Sequence, residues 1–297
     1  MKEDLITESW AKISADWKKT VTPPMCPSPD DIKIYKRWVN KVLSERKGKI
    51  NVLVLGSTRE IRDFLNKSER ISVTVCDINK SHYLAMNRLI KNKRKDEIFI
   101  KHEWSLAPLK ENFFDIIIGD GIISNVAKKN KTRFLQNMAR AIKNNGLVII
   151  RELYVYNNRR IKIDEVLSSF SRFRIDKWSP MELLISLEMS VMDKSTGKIS
   201  MPKILNHLKK KYLDKKSGNF LFPGGKNTDI ILNHPNFLKW ISINKEWDSH
   251  DFNSVRKFIQ NYFHVVKMEH GLDHKSKPTC QMFGDIMPIW VLAPKKN

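Results

Sequence analysis

The segment VLVLGSTREIRDFL (residues 52–65) changes character at a single glycine, Gly56. A continuous apolar run precedes this glycine, and a polar segment with helical spacing follows it. The apolar run predicts a buried strand, and the abrupt change predicts a strand-to-helix turn. Because glycine has no side chain, such a turn is either a tight connection or a place where a ligand lies against bare backbone.

The same alternation continues along the chain. The apolar runs INVLVLG, ISVTVCD, EIFIKHE, FFDIIIGDG and GLVIIREL alternate with helix-like segments at 58–67, 79–92 and 131–143. Parallel strands covered by helices on both faces have this pattern. Strand-like HVVKMEH and a final run, IMPIWVLAP, complete the pattern. We therefore predict an α/β fold with a doubly wound, Rossmann-like, mostly parallel sheet and an antiparallel last strand. Gly146 is expected to end the preceding helix in a left-handed conformation.

Two helical segments accompany this core. Residues 1–48 combine a helical stretch with the proline-rich link TPPMCPSPDD, which predicts an N-terminal flap held in a defined direction. Residues 152–250 are too many for a simple crossover between strands. They predict a mainly helical insertion that caps the substrate. The core is thus expected to comprise residues 49–151 and 251–297.

The charge of the chain is strongly positive, with 54 Lys and Arg against 32 Asp and Glu and a net charge of +22. Such a charge attracts phosphate backbones and other acidic partners. The sequence lacks an RNA-binding signature with interleaved aromatic residues, so we favour solvated lysine-rich helix faces and keep nucleic acid as a less favoured partner.

Several other classes of protein are disfavoured by the sequence. The apolar runs are too short to cross a bilayer, and the N-terminus has no apolar signal region, which predicts a cytoplasmic protein without a membrane partner. The cysteines Cys26, Cys76 and Cys280 are far apart. No His/Cys/Asp cluster has metal-ligand spacing, so neither a disulfide framework nor a metal site is expected.

Polar residues follow the ends of the predicted strands, where open parallel sheets bind their ligands. Gly56 and Ser57 follow the first strand, and Asp77 ends the second. A carboxylate at that second position can accept both hydroxyls of a ribose. In HEWSLAPL, Glu103 and Trp104 are placed for an adenine amine and an adenine face. The fourth strand ends in GDG, which contains Asp120.

These segments resemble the class I S-adenosylmethionine-dependent methyltransferases. The resemblance is carried by VLVLGSTREIRDFL, VTVCDINKSHYLAMN, HEWSLAPLKENFFDIIIGDGII and MARAIKNNGLVIIREL, which occur in the order of the family's motifs. The segment CPSPDDIKIY resembles the bacterial small-substrate members. The resemblance implies S-adenosylmethionine as cofactor, contacted by Tyr35, Gly56, Ser57, Asp77, Ile78, Trp104 and Asp120.

The resemblance also assigns a role to each position. Gly56 and Ser57 would contact the methionine portion, Asp77 the ribose hydroxyls, and Asp120 the region of the amino group and the sulfonium. Ile78 and Trp104 would contact the adenine. Tyr35 would reach the cofactor carboxylate.

The first of these motifs departs from the family pattern because it contains one glycine where the family commonly shows several. A dinucleotide's pyrophosphate needs spaced glycines, so the departure argues against NAD. Each residue also has a structural alternative. Gly56 can serve only the turn, Asp77 can cap the next helix, and Trp104 can belong to the core.

Methyl transfer from a sulfonium needs few catalytic groups, and a base is required only when the acceptor is protonated. Asp120 is a cofactor ligand in the resemblance, so the candidate bases are His250, His264 and His270. We expect a small-molecule or peptide acceptor in a pocket that the flap and the insertion form over the cofactor. An RNA methyltransferase and an inactive cofactor-binding partner protein are the alternatives.

Overall fold

The computed structural model describes residues 16–155, 161–193, 196–243, 246–248 and 250–295. Its centre is a seven-stranded sheet with the order β10-β11-β5-β4-β1-β2-β3. The strands are β1 (Ile50–Leu55), β2 (Ile71–Asp77), β3 (Ile98–Lys101), β4 (Phe114–Asp120), β5 (Ile142–Arg151), β10 (Phe263–Glu269) and β11 (Ile289–Pro294). In this sheet β11 runs opposite to the other six strands. The predicted fold class is confirmed.

Helices cover both faces of the sheet and form most of the insertion. They are α1 (Trp17–Thr20), α2 (Pro29–Glu45), α3 (Arg59–Leu65), α4 (Lys80–Leu89), α5 (Ile122–Asn125), α6 (Lys131–Ala141), α7 (Ile163–Phe170), α8 (Ser179–Val191), α9 (Met201–Tyr212), α10 (Lys226–Leu232), α11 (Pro235–Ile241), α12 (Phe252–Gln260) and α13 (Pro278–Phe283). Within the described ranges, none of these helices is both long and apolar enough to span a membrane.

Two small sheets accompany the helices. They pair β6 (Tyr154–Val155) with β9 (His250–Asp251) and β7 (Lys198–Ser200) with β8 (Glu246–Asp248). The insertion therefore has short strands as well as the predicted helices. The predicted domain boundaries themselves stay predictions.

The continuous apolar sequence of β1 is explained by burial on both faces of the sheet. Val52 and Val54 pack in one core cluster with α2 and α3, whereas Leu53 and Leu55 pack in a second cluster with α6 and α12. Side chains alternate between faces along a strand, so both sets must be apolar when both faces are covered.

The start of α2 is fixed by local chemistry. The Ser28 hydroxyl accepts a hydrogen bond from the amide of Asp31 at 3.1 Å, and the Asp31 carboxylate accepts one from the amide of Ser28 at 2.9 Å. This capping box, with Pro29 at the first helical position, satisfies amides that the helix leaves unpaired and stabilises it by about 1 kcal/mol.

The expectation for Gly146 is wrong. Helix α6 ends at Ala141, and Gly146 lies inside β5 with ordinary backbone angles. A Cβ at this position would lie 2.8 Å from Cδ1 of Ile142 and 2.9 Å from the carbonyl oxygen of Asp115. Glycine is thus required by close packing and not by a left-handed turn.

A third core cluster joins the insertion to the flap. Helix α8 is buried along most of its length and packs with Val166 and Trp240. The flap residues Trp17, Val21 and Cys26 belong to the same cluster. The segment before α2 is therefore packed between the insertion and the edge of the sheet where β1, β2, β4 and β5 end.

Candidate functional site

The carboxyl ends of β1, β2, β4 and β5 lie side by side, and we call this the carboxyl edge of the sheet. Leu55, the last residue of β1, is in register with Cys76 on β2 and Gly119 on β4. The residues that follow these three are Gly56, Asp77 and Asp120. The structure therefore brings three of the predicted site positions to one height on neighbouring strands.

Gly56 makes the turn after β1 in a left-handed conformation, with φ of 79°. Its amide donates a hydrogen bond to the carbonyl of Cys76 at 2.9 Å. The indole Nε1 of Trp104 donates to the same carbonyl at 2.7 Å, and a Cβ on Gly56 would lie 3.6 Å from the Trp104 ring. There is space for a side chain here, but a residue other than glycine would be strained at this positive φ. Glycine is therefore required by the backbone angle.

Asp77 ends β2 and is 7% exposed. Its Oδ2 accepts a hydrogen bond from the hydroxyl of Ser57 at 2.6 Å, and its Oδ1 accepts one from the amide of Asn79 at 2.9 Å. Burial raises the pKa of Asp77, and these two hydrogen bonds oppose the rise. A carboxylate has about four acceptor positions, so these two hydrogen bonds leave it incompletely paired.

The turn after β2 shows which residue caps the following helix. Asn79 is the N-cap of α4, and its side chain accepts a hydrogen bond from the amide of His82 at 2.9 Å. Asp77 instead orients the turn through the amide of Asn79, which leaves Ile78 half-buried at its tip. Asp77 is therefore not the helix cap that the sequence allowed.

The segment after β3 places Glu103 and Trp104 differently. Both carboxylate oxygens of Glu103 accept hydrogen bonds from Ser105, one from its amide at 3.2 Å and one from its hydroxyl. Glu103 thus closes its own turn. Trp104 is half-buried, and its ring lies 6.2 Å from that of Phe134 and against Gly56.

Asp120 at the end of β4 is held by Arg151 at the end of β5. Arg151 Nε lies 2.6 Å from Oδ1 of Asp120, and its Nη2 lies 3.0 Å from Oδ2. Burial raises the pKa of Asp120, and the Arg151 charge opposes the rise. The carboxylate that the resemblance assigns to the cofactor's amino-group region is therefore engaged in a two-point ion pair.

The fully buried Arg151 side chain also ties the flap to the sheet. It contacts Oδ2 of Asp31 on α2 at 3.1 Å and donates to the carbonyl oxygen of Pro24 at 3.0 Å. Nε2 of His274 lies 3.0 Å from the same Asp31 oxygen. Burial alone would raise the pKa of Asp31, but Arg151 and His274 hold it well below its usual range.

Tyr35 is completely buried below this network. Its hydroxyl donates a hydrogen bond to the carbonyl oxygen of Gly119 at 2.8 Å. Burial, together with the nearby Asp120 charge, raises the pKa of the phenol well above its ordinary value. Tyr35 therefore lies close to the expected site, with its one hydroxyl proton used by the backbone of β4.

Glu60, in the first turn of α3, is a residue that the sequence analysis missed. Arg59 donates to its Oε1 at 2.6 Å, whereas its buried Oε2 has no hydrogen-bond partner in the part of the chain that is described. Burial raises the pKa of Glu60, Arg59 opposes this, and the Asp120 charge adds to the rise. The signal in the sequence is its position four residues after Gly56.

The structure does not bring the histidines His250 and His264 together at the carboxyl edge. His264 is exposed near the start of β10 and pairs with Ala293 on β11. At the other end of β10, Glu269 pairs with Ile289, and Ile289 pairs in turn with Arg151 at the carboxyl edge. His264 therefore lies at the opposite edge of the sheet. His250 belongs to β9, where it pairs with Tyr154.

His270, the third candidate, lies in the connection between β10 and β11 and lines a cleft that we call the edge cleft. Its walls come from α8, from this connection and from the flap. The lining residues are Pro24, Glu182, His270, His274, Thr279, Cys280, Gly284, Asp285, Ile286 and Met287. The sequence signal for this cleft is Glu182, an acidic residue within the otherwise apolar helix SPMELLISLEMSV.

Comparisons with known proteins agree with this geometry. Residues 55–150 match a family model described as a methyltransferase domain. A comparison with curated protein sequences gave no significant match. A similar solved structure is a protein described as a putative Zn-dependent alcohol dehydrogenase from Rhodobacter sphaeroides, which is 15% identical, with 97% of this chain and 98% of that chain covered and a TM-score of 0.59.

A second similar structure is the 1,6-didemethyltoxoflavin-N1-methyltransferase of Burkholderia thailandensis, solved with 1,6-didemethyltoxoflavin and S-adenosylhomocysteine bound. It is 9% identical, with 100% of this chain and 89% of that chain covered and a TM-score of 0.52. At such identities, these two likenesses concern the fold alone. The predicted resemblance is confirmed at the level of the domain: residues 55–150 match a methyltransferase domain, and the fold is shared with these two structures.

Proposed function

We propose that this protein binds S-adenosylmethionine at the carboxyl edge and transfers its methyl group to a small-molecule or peptide acceptor. The observation that carries the proposal is Asp77, a carboxylate fixed by Ser57 and Asn79 with two acceptor positions left. A vicinal diol such as that of a ribose fills two positions of this kind. The matched methyltransferase domain includes this strand end.

The side chains at the edge also fit the other parts of the cofactor. The buried Oε2 of Glu60 lacks a partner among the described residues, and an ammonium group would satisfy it. The indole face of Trp104 suits a purine ring. The turn has one glycine, Gly56, which suits a ligand without a pyrophosphate.

In the proposed reaction the protein chiefly binds, orients and excludes water. S-adenosylmethionine supplies a methyl group that is already activated on a sulfonium. Asp77 would hold the ribose, Trp104 the adenine face and Glu60 the ammonium group. The flap would exclude water, because Trp17 packs on His82 of α4, with ring centroids 5.3 Å apart, and Pro24 is tied to Arg151.

Calorimetry with S-adenosylhomocysteine tests the cofactor part of this proposal. We expect one binding site with micromolar or tighter affinity, and no comparable heat with NAD as a control. Absence of binding to S-adenosylhomocysteine would overturn the proposal. The remaining alternative would be a partner protein that does not bind the cofactor.

Transfer of a labelled methyl group tests the acceptor part. We expect the labelled methyl group to appear in small molecules or peptides. Label in RNA, together with RNA affinity that falls steeply as salt is raised, would instead establish the RNA methyltransferase alternative.

A further inference from the structure

Glu182 is poorly satisfied for a buried carboxylate. It is 2% exposed, and among the described residues its carboxylate accepts hydrogen bonds from a single residue, Thr279, through the amide at 3.3 Å and through the side chain. A carboxylate has about four acceptor positions, and buried polar groups are normally paired. Because Glu182 lines the edge cleft, its remaining positions are available to a hydrogen-bond donor that enters there.

The position of Glu182 is fixed by its neighbours. The hydroxyl of Thr279 donates to the main-chain carbonyl of Glu182 at 3.0 Å and lies 2.9 Å from the hydroxyl of Ser186. These contacts join α8 to α13 and hold the carboxylate in the wall of the cleft. The positive charge of Lys277 is directed elsewhere, since its ammonium pairs with Asp176 and lies over the ring of Trp178.

His270 faces the same cleft as a histidine held by a carboxylate. Its Nε2 lies 3.1 Å from Oδ2 of Asp285, and Oδ1 of Asp285 accepts a hydrogen bond from the thiol of Cys280 at 3.3 Å. Nδ1 of His270 has no hydrogen-bond partner among the described residues. A histidine oriented in this way presents Nδ1 to a hydrogen-bond donor that enters the cleft.

The edge cleft is narrow and is linked through Pro24 and Arg151 to the carboxyl edge. The cavity volume of the cleft is about 20 Å³, close to the room that one water needs. The cleft thus admits the tip of a molecule. Pro24 forms part of its wall, and the carbonyl of Pro24 accepts a hydrogen bond from Arg151, the partner of Asp120.

We propose that the edge cleft receives the amine group of the methyl acceptor, with Glu182 holding the ammonium and His270 taking its proton. This inference rests on the proposed function. Asp285 and an ionised Glu182 would repel an anionic group. Burial raises the pKa of Glu182, and a bound cation would offset this by favouring the charged carboxylate, which a neutral hydroxyl does not do. An amine satisfies both the charge and the vacant acceptor positions.

The step balances as an N-methylation. The ammonium gives one proton to Nδ1 of His270, and the free nitrogen lone pair forms a bond to the methyl carbon. The bond between that carbon and the sulfonium sulfur breaks, with its electron pair going to sulfur. The products are a methylated ammonium and a neutral thioether, and His270 later releases its proton to water.

Titration with butylammonium chloride, followed by NMR of the imidazole resonances of His270 and His274, tests the recognition part. We expect saturable shifts with butylammonium and none with butyrate or butanol. Glu182→Gln should weaken butylammonium binding about ten-fold or more, because it removes the charge but keeps the shape. Glu188→Gln, on the same helix but outside the cleft, is the matched control and should keep the wild-type affinity.

The variant His270→Gln tests proton transfer. It should keep butylammonium binding within about three-fold, read from the His274 resonance, and lose methyl transfer to amines. Binding of S-adenosylhomocysteine should be unchanged in all three variants, which separates this inference from the proposed function. If S-adenosylhomocysteine binds but butylammonium shifts the histidines no more than butyrate does, the inference is wrong.

Discussion

Asp77 and Asp120 occupy equivalent positions on either side of β1, yet their surroundings differ. Asp77 is held by two neutral donors, the Ser57 hydroxyl and the Asn79 amide. Asp120 is held at both oxygens by the guanidinium of Arg151. A neutral donor orients a carboxylate without balancing its charge, whereas a bidentate guanidinium does both. Asp77 thus keeps a carboxylate charge that no described residue balances by direct contact, whereas Asp120 is part of an ionic scaffold.

Arg151→Ala is expected to have the largest effect. It leaves Asp120, Asp31 and the carbonyl of Pro24 buried without their shared partner. Removal of one member of a buried ionic network costs about 3–5 kcal/mol. Urea unfolding should show this loss in the free energy of unfolding. Arg37→Ala, which breaks an exposed pair with Glu269, should cost less than about 1 kcal/mol. Equal losses in the two variants would contradict the scaffold role of Arg151.

Asp77→Ala should chiefly affect ligand binding. Loss of two charge-assisted hydrogen bonds to a ribose should weaken binding of S-adenosylhomocysteine about 100-fold in calorimetry. Asp96→Ala removes an exposed carboxylate from the loop before β3 and should leave the affinity unchanged. If Asp77→Ala binds S-adenosylhomocysteine as wild type does, the ribose lies elsewhere.

Tyr35→Phe distinguishes a scaffold residue from a cofactor ligand. The change removes the hydrogen bond to the carbonyl of Gly119 and should lower the free energy of unfolding by about 1 kcal/mol, measured with urea. A structural tyrosine should leave the affinity for S-adenosylhomocysteine within about three-fold of wild type. A ten-fold loss of affinity would instead support the cofactor contact that the sequence predicted.

The two carboxylates Asp77 and Asp31 should respond to pH in opposite ways. Because the pKa of Asp77 is raised in the folded protein, its contribution to stability is lost as pH rises from about 4 through the folded pKa. The pKa of Asp31 is lowered, so its contribution is present above about pH 4 and lost as pH falls.

Urea unfolding at several values of pH between 3 and 7 measures this difference. The stability of Asp77→Asn relative to wild type should increase from pH 4 to pH 7. The stability lost in Asp31→Asn should shrink as pH falls from 5 to 3. Parallel profiles for the two variants would contradict the assigned pKa directions.

The sheet could be predicted because buried parallel strands need continuous apolar runs, as β1 and β2 show. Asp77 could be located because it directly follows such a run. The pairing of Asp120 with Arg151 could not be predicted from the sequence, because it depends on the register between β4 and β5. Gly146 was misread because a helix stop and a close approach inside a strand both require glycine.

Residues brought together by long-range packing were also missed. Glu182 on α8 meets Thr279 on α13, and the structure joins them through main-chain contacts that have no local sequence pattern. The sequence therefore located the turns after β1 and β2 better than the edge cleft.

The antiparallel direction of β11 has a consequence for how such a protein can diversify. Because β11 lies between β5 and β10, the chain leaves and re-enters the sheet at the same edge, at Glu269 and Ile289. The connection between them, residues 270–288, contacts Asp31 of α2 and Glu182 of α8. Under the proposed function, changes within residues 270–288 would alter the edge cleft and leave the order of the strands and the turns after β1 and β2 unchanged.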